Sequence, residues 1–247
     1  MRYDESLDTA TRRAGGVFYS GEEEIDKVID PLFIGELRAI GRENKEDMLA
    51  RIRSATFFDP ACGSGNFLVA TIAALQELEL EVGAEPQAAM SQCYGIEIDP
   101  ISAGLARGTG ANITTADALD IDWNDVLPAE RCTYIIGNPP YISSNDASPT
   151  QKAQLKRLAK TTNIDYACAW FIKAADYMRG ETKLAFVTTN SVTQGTHVPV
   201  LFPLLYARGL ELIFARRSFP WKGAAVHVVV LGLCREEFAP TIRPIFP

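Results

Sequence analysis

The sequence predicts an α/β fold, a mostly parallel sheet with helices on both faces. Three observations lead there. From Ala55 onward, short runs that are apolar along their length alternate with longer stretches of helical periodicity, as expected of strands buried on two sides and joined by crossover helices. The runs "TFF", "CYGIEI" and "TYIIG" each lead into a turn built on glycine, proline or acidic residues, where open α/β sheets bind their ligands. The last two apolar runs, "GLELIFARRSF" and "AAVHVVVLGL", are separated only by "PWKG", which predicts a C-terminal antiparallel hairpin.

In chain order, "EEEIDKVIDPLFIGELRAI" carries apolar residues at helical spacing, with Pro31 predicted to start a second helical piece, and "KEDMLARIR" continues as helix. Residues 1–54 therefore form an expected N-terminal helical segment, and residues 55–247 one compact catalytic unit. Within that unit "NFLVATIAALQEL", "DYACAWFIKAADYM" and "PVLFPLLYA" predict helices, and "KLAFVTT" a strand. No internal repeat or low-complexity segment interrupts the pattern.

Composition narrows the function. A chain of 247 residues that is 47% hydrophobic has ample core, and no apolar run approaches the roughly 20 residues that span a bilayer. The opening "MRYDESLDTATRR" lacks a secretory h-region. Five scattered cysteines with no C-x-x-C pair read as reduced thiols of a cytoplasmic protein. With only two histidines, metal-independent chemistry is expected. A formal net charge of −7 means that any hold on nucleic acid rests on local basic patches or on a partner.

Three strand-end loops carry the candidate chemistry. In "FDPACGSGNFL", Gly63 and Gly65 permit a tight turn and close approach to a ligand just before a helix begins. Leu68 occupies the third small position of a dinucleotide fingerprint, which disfavours nicotinamide cofactors. In "GIEIDP", Glu97 is placed to accept from two ribose hydroxyls, and Ile98 to lie flat against an adenine. In "TYIIGNPPYI", Pro139 and Pro140 stiffen the chain after Asn138. The Asn138 side-chain oxygen and a neighbouring carbonyl then make two fixed acceptors, a match for the two hydrogens of an exocyclic amine. Tyr141 adds a ring for a flat base.

Together these motifs resemble the S-adenosylmethionine-dependent adenine-N6 DNA methyltransferases of the gamma order. The chain is most similar to the MmeI-like restriction–modification methyltransferases, through "IDYACAWFIKAADYM", "FVTTNSVTQGTHVPVLFPLL" and "RSFPWKGAAVHVVVLGL" besides the shorter motifs. The resemblance implies a Rossmann-like class I methyltransferase fold, S-adenosyl-L-methionine as cofactor and DNA as partner. It implies that Tyr19 and Ser20 touch the methionine end of the cofactor, and that Asp59, Ala61, Gly63 and Gly65 line its methionine and sugar region. Glu97 and Ile98 are implied at its ribose and adenine, and Asp117 near the adenine. Asn138, Pro139, Pro140 and Tyr141 form the implied catalytic loop, with Phe219 closing on the opposite face of a flipped adenine.

Two departures from the family stand out. Only "PISAGLARGTGANITTA" joins the second and third motifs, and its glycines suggest a deletion of helix and connection. No target-recognition or nuclease segment is seen, so a separate recognition subunit is an expected partner. Arg216, Arg217 and Lys222 flank Phe219 and point to phosphate contacts. Lys152, Lys156, Arg157 and Lys160 read equally as a solvated helix face. His227 and His197 read as structural. Methylation of RNA or of a protein glutamine, and a non-catalytic binding subunit, remain alternatives.

Overall fold

The computed structural model describes residues 22–221 and 226–247; Tyr19, Ser20 and Lys222 lie outside them. Its centre is an eight-stranded sheet in the order β3-β2-β1-β4-β5-β7-β6-β8. The strands are β1 Phe57–Asp59, β2 Cys93–Glu97, β3 Asn112–Thr115, β4 Tyr134–Gly137, β5 Lys183–Thr189, β6 Leu210–Pro220, β7 His227–Arg235 and β8 Ile245–Phe246. The first five run parallel, and β7 runs antiparallel to both β5 and β6. This is the mostly parallel α/β sheet that the sequence leads one to expect, C-terminal antiparallel hairpin included.

Why the strands read as unbroken apolar runs is plain from the two cores. Phe57, Ile136, Ala185, Val187, Val228 and Val230 face one cluster, while Phe58, Ile135, Leu184, Phe186, Val229 and Leu231 face the other. Successive side chains of a strand point to opposite faces, so a sheet buried on both sides has no polar alternation. The first core is closed by helices α1 Glu22–Ile29, α2 Gly35–Glu43, α3 Lys45–Ser54 and α4 Asn66–Glu81, which contribute Val28, Leu37, Ile52 and Leu75. The second core is closed by α6 Pro149–Ala159, α7 Cys168–Tyr177 and α8 Val198–Tyr206, through Leu155, Phe171 and Leu201 among others.

Two links refine the sequence reading. Pro31 stands at the start of a second helical piece, as expected. Asp30–Ile34 forms a π-turn between α1 and α2, and the Gly35 N–H reaches back to the Asp30 carbonyl. Widening the turn by one residue absorbs the donor that proline lacks while Leu32, Phe33 and Ile34 stay buried. The short link after β2 keeps a helix. It holds α5 Pro100–Gly108, nine residues long and capped by the Asp99 carboxylate on the Ser102 N–H, and then the edge strand β3. Gly108 is the last residue of that helix and Gly110 follows it at φ +98°. The strand itself escaped notice because "NITT" sits at a sheet edge with no residue fully buried.

All five cysteines are free and buried. Among the described residues, no helix is long and apolar enough to cross a membrane.

Candidate active site

The carboxyl ends of β1, β2, β3 and β4 open onto one cavity of about 410 Å³, within the range of small-molecule sites. Eight of the anticipated residues line it: Asp59, Ala61, Gly63, Glu97, Ile98, Asp117, Asn138 and Pro140. They come from four loops far apart in sequence, and the parallel order β3-β2-β1-β4 aligns their ends.

The first loop is shaped by its own hydrogen bonds. The Asp59 carboxylate accepts the Ala61 N–H at 2.9 Å, and Gly65 takes φ +90° as the N-cap of α4, a conformation that favours glycine. Gly63, Ser64, Asn66 and Phe67 then place the start of α4 at the cavity wall. The N–H groups of a helix's first turn have no partner within the helix and attract negative charge.

Two acidic side chains sit close together. Both oxygens of Glu97 are held by backbone donors, Oε2 by the Gly63 N–H at 2.9 Å and Oε1 by the Asp99 N–H at 2.8 Å. Burial pushes the Glu97 carboxyl up, with those N–H groups pulling it back. Asp59 is 1% exposed. Burial pushes its carboxyl up to about 8, opposed by the Ala61 N–H and reinforced by Glu97. A cavity that keeps two carboxyls desolvated favours a ligand bearing positive charge and hydroxyl donors.

The fourth loop begins where β4 ends at Gly137. Asn138 and Pro140 reach the cavity, while Pro139 is buried behind them. Asn138 Oδ1 and Tyr141 Oη are shielded from solvent. Burial holds the Tyr141 phenol well above its usual range, with the Asn138 side chain acting the other way. Tyr141 does not line the cavity; its ring rests against the core formed with the N-terminal helices, and Phe219 rests against that same core. Phe219 lies 6.0 Å from Trp221 and beneath the Lys27 ammonium at 5.0 Å. Gly65 likewise stands behind the cavity wall.

Sequence reasoning passed over a third wall. Gln154 on α6, Tyr166 just before α7 and Trp170 on α7 all line the cavity. Trp170 Nε1 donates to the Pro60 carbonyl at 3.1 Å, and its ring meets Tyr166 edge to face at 5.2 Å. Polar or aromatic residues on helices carry no motif of their own, though "IDYACAWF" held a signal: an acid and three aromatics inside an otherwise apolar run.

The basic residues divide. Arg157 is spent inside the protein on the Leu119 carbonyl and Asp120, and Arg216 on the Pro247 carbonyl and the Phe246 ring. Lys156 and Arg217 are exposed. His227 is exposed at the start of β7, and His197 accepts the Asp165 N–H at 3.0 Å.

The chain matches the MmeI DNA-methyltransferase domain over residues 38–109 and 108–244. It belongs to that family. DNA methyltransferase A of Bacillus subtilis (strain 168) is 32% identical over 274 residues, covering 88% of this chain and 31% of that protein. The solved structure of the type IIL restriction–modification enzyme MmeI in complex with DNA superposes with a TM-score of 0.84 at 36% identity, over 92% of this chain and 38% of that one. A tRNA1(Val) (adenine(37)-N6)-methyltransferase of Porphyromonas gingivalis (strain ATCC BAA-308 / W83) is 27% identical over 149 residues, 56% of this chain and 53% of that protein. The chain thus spans about a third of the length of its two nearer relatives.

The donor set fits S-adenosyl-L-methionine. Asp59 offers a carboxylate to a cationic group, Glu97 has lone pairs left for ribose hydroxyls, and Ile98, 65% exposed at the cavity mouth, offers an apolar face to a purine. The α4 N-terminus suits a carboxylate.

Proposed function

We propose that this chain transfers a methyl group from S-adenosyl-L-methionine to the N6 amine of an adenine flipped out of DNA, as the modifying part of a restriction–modification system. The observation that carries the reading is the convergence of Asn138 and Pro140 with Asp59, Glu97 and Asp117 on one cavity.

S-adenosyl-L-methionine supplies an electrophilic methyl group on a sulfonium. The protein's task is to make a purine amine nucleophilic, since its lone pair is delocalised into the ring. Asn138 Oδ1 and the Pro139 carbonyl accept one N–H each, which favours a pyramidal nitrogen and localises the pair. Positive charge grows on that nitrogen during attack, so both bonds strengthen in the transition state. The two prolines hold the acceptors still, and orientation does much of the rest. A paired adenine must first leave the duplex, at a cost of a few kcal/mol. Tyr141 and Phe219, which share one core, offer the ring faces that offset it. Among the described residues, Arg217 and Lys156 are exposed cations available to phosphates. DNA sequence is read by another domain or a separate recognition subunit.

A second reading, methylation of adenine in RNA, draws on the likeness to the tRNA methyltransferase over half the chain. Incubation with methyl-labelled cofactor and either DNA or RNA, followed by digestion to nucleosides, separates the two. N6-methyldeoxyadenosine is the expected product. Label in RNA alone would move the assignment to the second reading.

A further inference from the structure

We propose that Gln154 and Tyr166 are positioning residues of the methyl-donor site, holding the Asp117 carboxylate in register for the exocyclic amine of the cofactor's adenine. The inference rests on reading the cavity as the S-adenosylmethionine site.

Gln154 Nε2 donates to Asp117 Oδ2 at 2.9 Å, and the Tyr166 hydroxyl donates to Gln154 Oε1. The direction of this relay is set by chemistry. A carboxylate only accepts, so the amide must turn its NH₂ to Asp117. Its oxygen is left for Tyr166, whose hydroxyl must then donate. The other carboxylate oxygen, Oδ1, takes the Leu119 N–H at 2.9 Å. Asp117 is therefore fixed at both oxygens, and all three side chains line the cavity. Gln154 and Tyr166 are 3% and 4% exposed, which keeps water from substituting for either. One turn further along α6, Arg157 holds the Leu119 carbonyl at 2.6 Å and Asp120 at 2.8 Å, so one helix grips the 117–120 turn at two points.

The same relay reaches the catalytic loop. The Tyr166 N–H donates to the Ile142 carbonyl at 2.9 Å. Its neighbour Asp165 accepts the Ser144 N–H at 3.2 Å and the Ser191 hydroxyl. Tyr166 thus joins the adenine end of the donor site to the segment that follows Asn138-Pro139-Pro140-Tyr141, and its hydroxyl serves the first of these while its backbone serves the second. That separation makes the role testable.

The test titrates S-adenosylhomocysteine, and its analogue in which the adenine amine is replaced by oxygen, into the wild-type chain, Tyr166→Phe and Gln154→Leu by calorimetry. The wild type should prefer the amine-bearing ligand by about 10-fold or more, the scale of a hydrogen bond to a charged acceptor. Tyr166→Phe keeps the ring and the backbone bond to Ile142, and should cut that preference at least 3-fold with an unchanged melting temperature in the absence of ligand. Gln154→Leu should cut it further, and adding Tyr166→Phe to it should change little more, since the relay is already broken. A merely structural role would weaken both ligands equally and leave the preference intact. An unchanged preference in both variants would overturn the inference alone. Failure of the wild-type chain to bind either ligand would overturn the cofactor reading and this inference together.

Discussion

Asp59 and Gly137 sit so close that a Cβ built on Gly137 falls 2.5 Å from Asp59 Oδ1. This contact joins the loop after β1 to the loop after β4, and explains why a glycine precedes Asn138. Any larger residue would push the Asp59 carboxylate and the loop after β4 apart. Gly137→Ala should cost about 1–3 kcal/mol, as overpacking a filled site does, and should weaken cofactor binding as well. Urea denaturation and cofactor titration of the same variant check both effects.

Burial pushes the Asp59 carboxyl up to about 8, from 3.8 for an unperturbed aspartate. Between those values the folded chain holds a proton that the unfolded chain lacks, so the stability it contributes falls as pH rises through the window. A cationic ligand facing Asp59 favours its anion. Binding of S-adenosylmethionine should therefore release a proton near neutral pH and tighten as pH rises towards 8. Calorimetry in two buffers of different ionisation heat measures the proton. Asp59→Asn should abolish its release, lower affinity, and raise the melting temperature of the ligand-free chain at pH 8 and above.

Asn138→Ala removes one of the two proposed acceptors for the target amine. By analogy with the loss of one preorganised transition-state hydrogen bond, kcat should fall by about 10²–10³-fold, with cofactor affinity little changed. Single-turnover methyl transfer alongside cofactor titration checks the split. Activity that survives intact would sink the proposed mechanism.

Phe219 reaches no part of the donor cavity, yet shares a core with Tyr141. If it closes on the flipped base, Phe219→Ala should lose about 1–3 kcal/mol of stacking, seen as a higher KM for DNA at unchanged cofactor affinity. Phe219→Tyr should behave as the wild type. Steady-state kinetics with DNA as the varied substrate distinguish them.

The sequence by itself determined the sheet, because apolar runs at strand length separated by helical patterns have few other ways to be buried. It also marked the loops after β1, β2 and β4, where glycines and prolines impose conformations that other residues resist. It did not show that "NITT" forms β3 or that Pro31 is absorbed in a π-turn, since an edge strand lacks burial and a widened turn keeps helical spacing. Only the tertiary structure decided which side chains meet. Gln154 and Tyr166 lie 37 and 49 positions from Asp117 and carry no periodic signal; the packing of α6 and α7 over the sheet brings them to one carboxylate. Distances across a fold are set by how elements stack, and no local pattern encodes them.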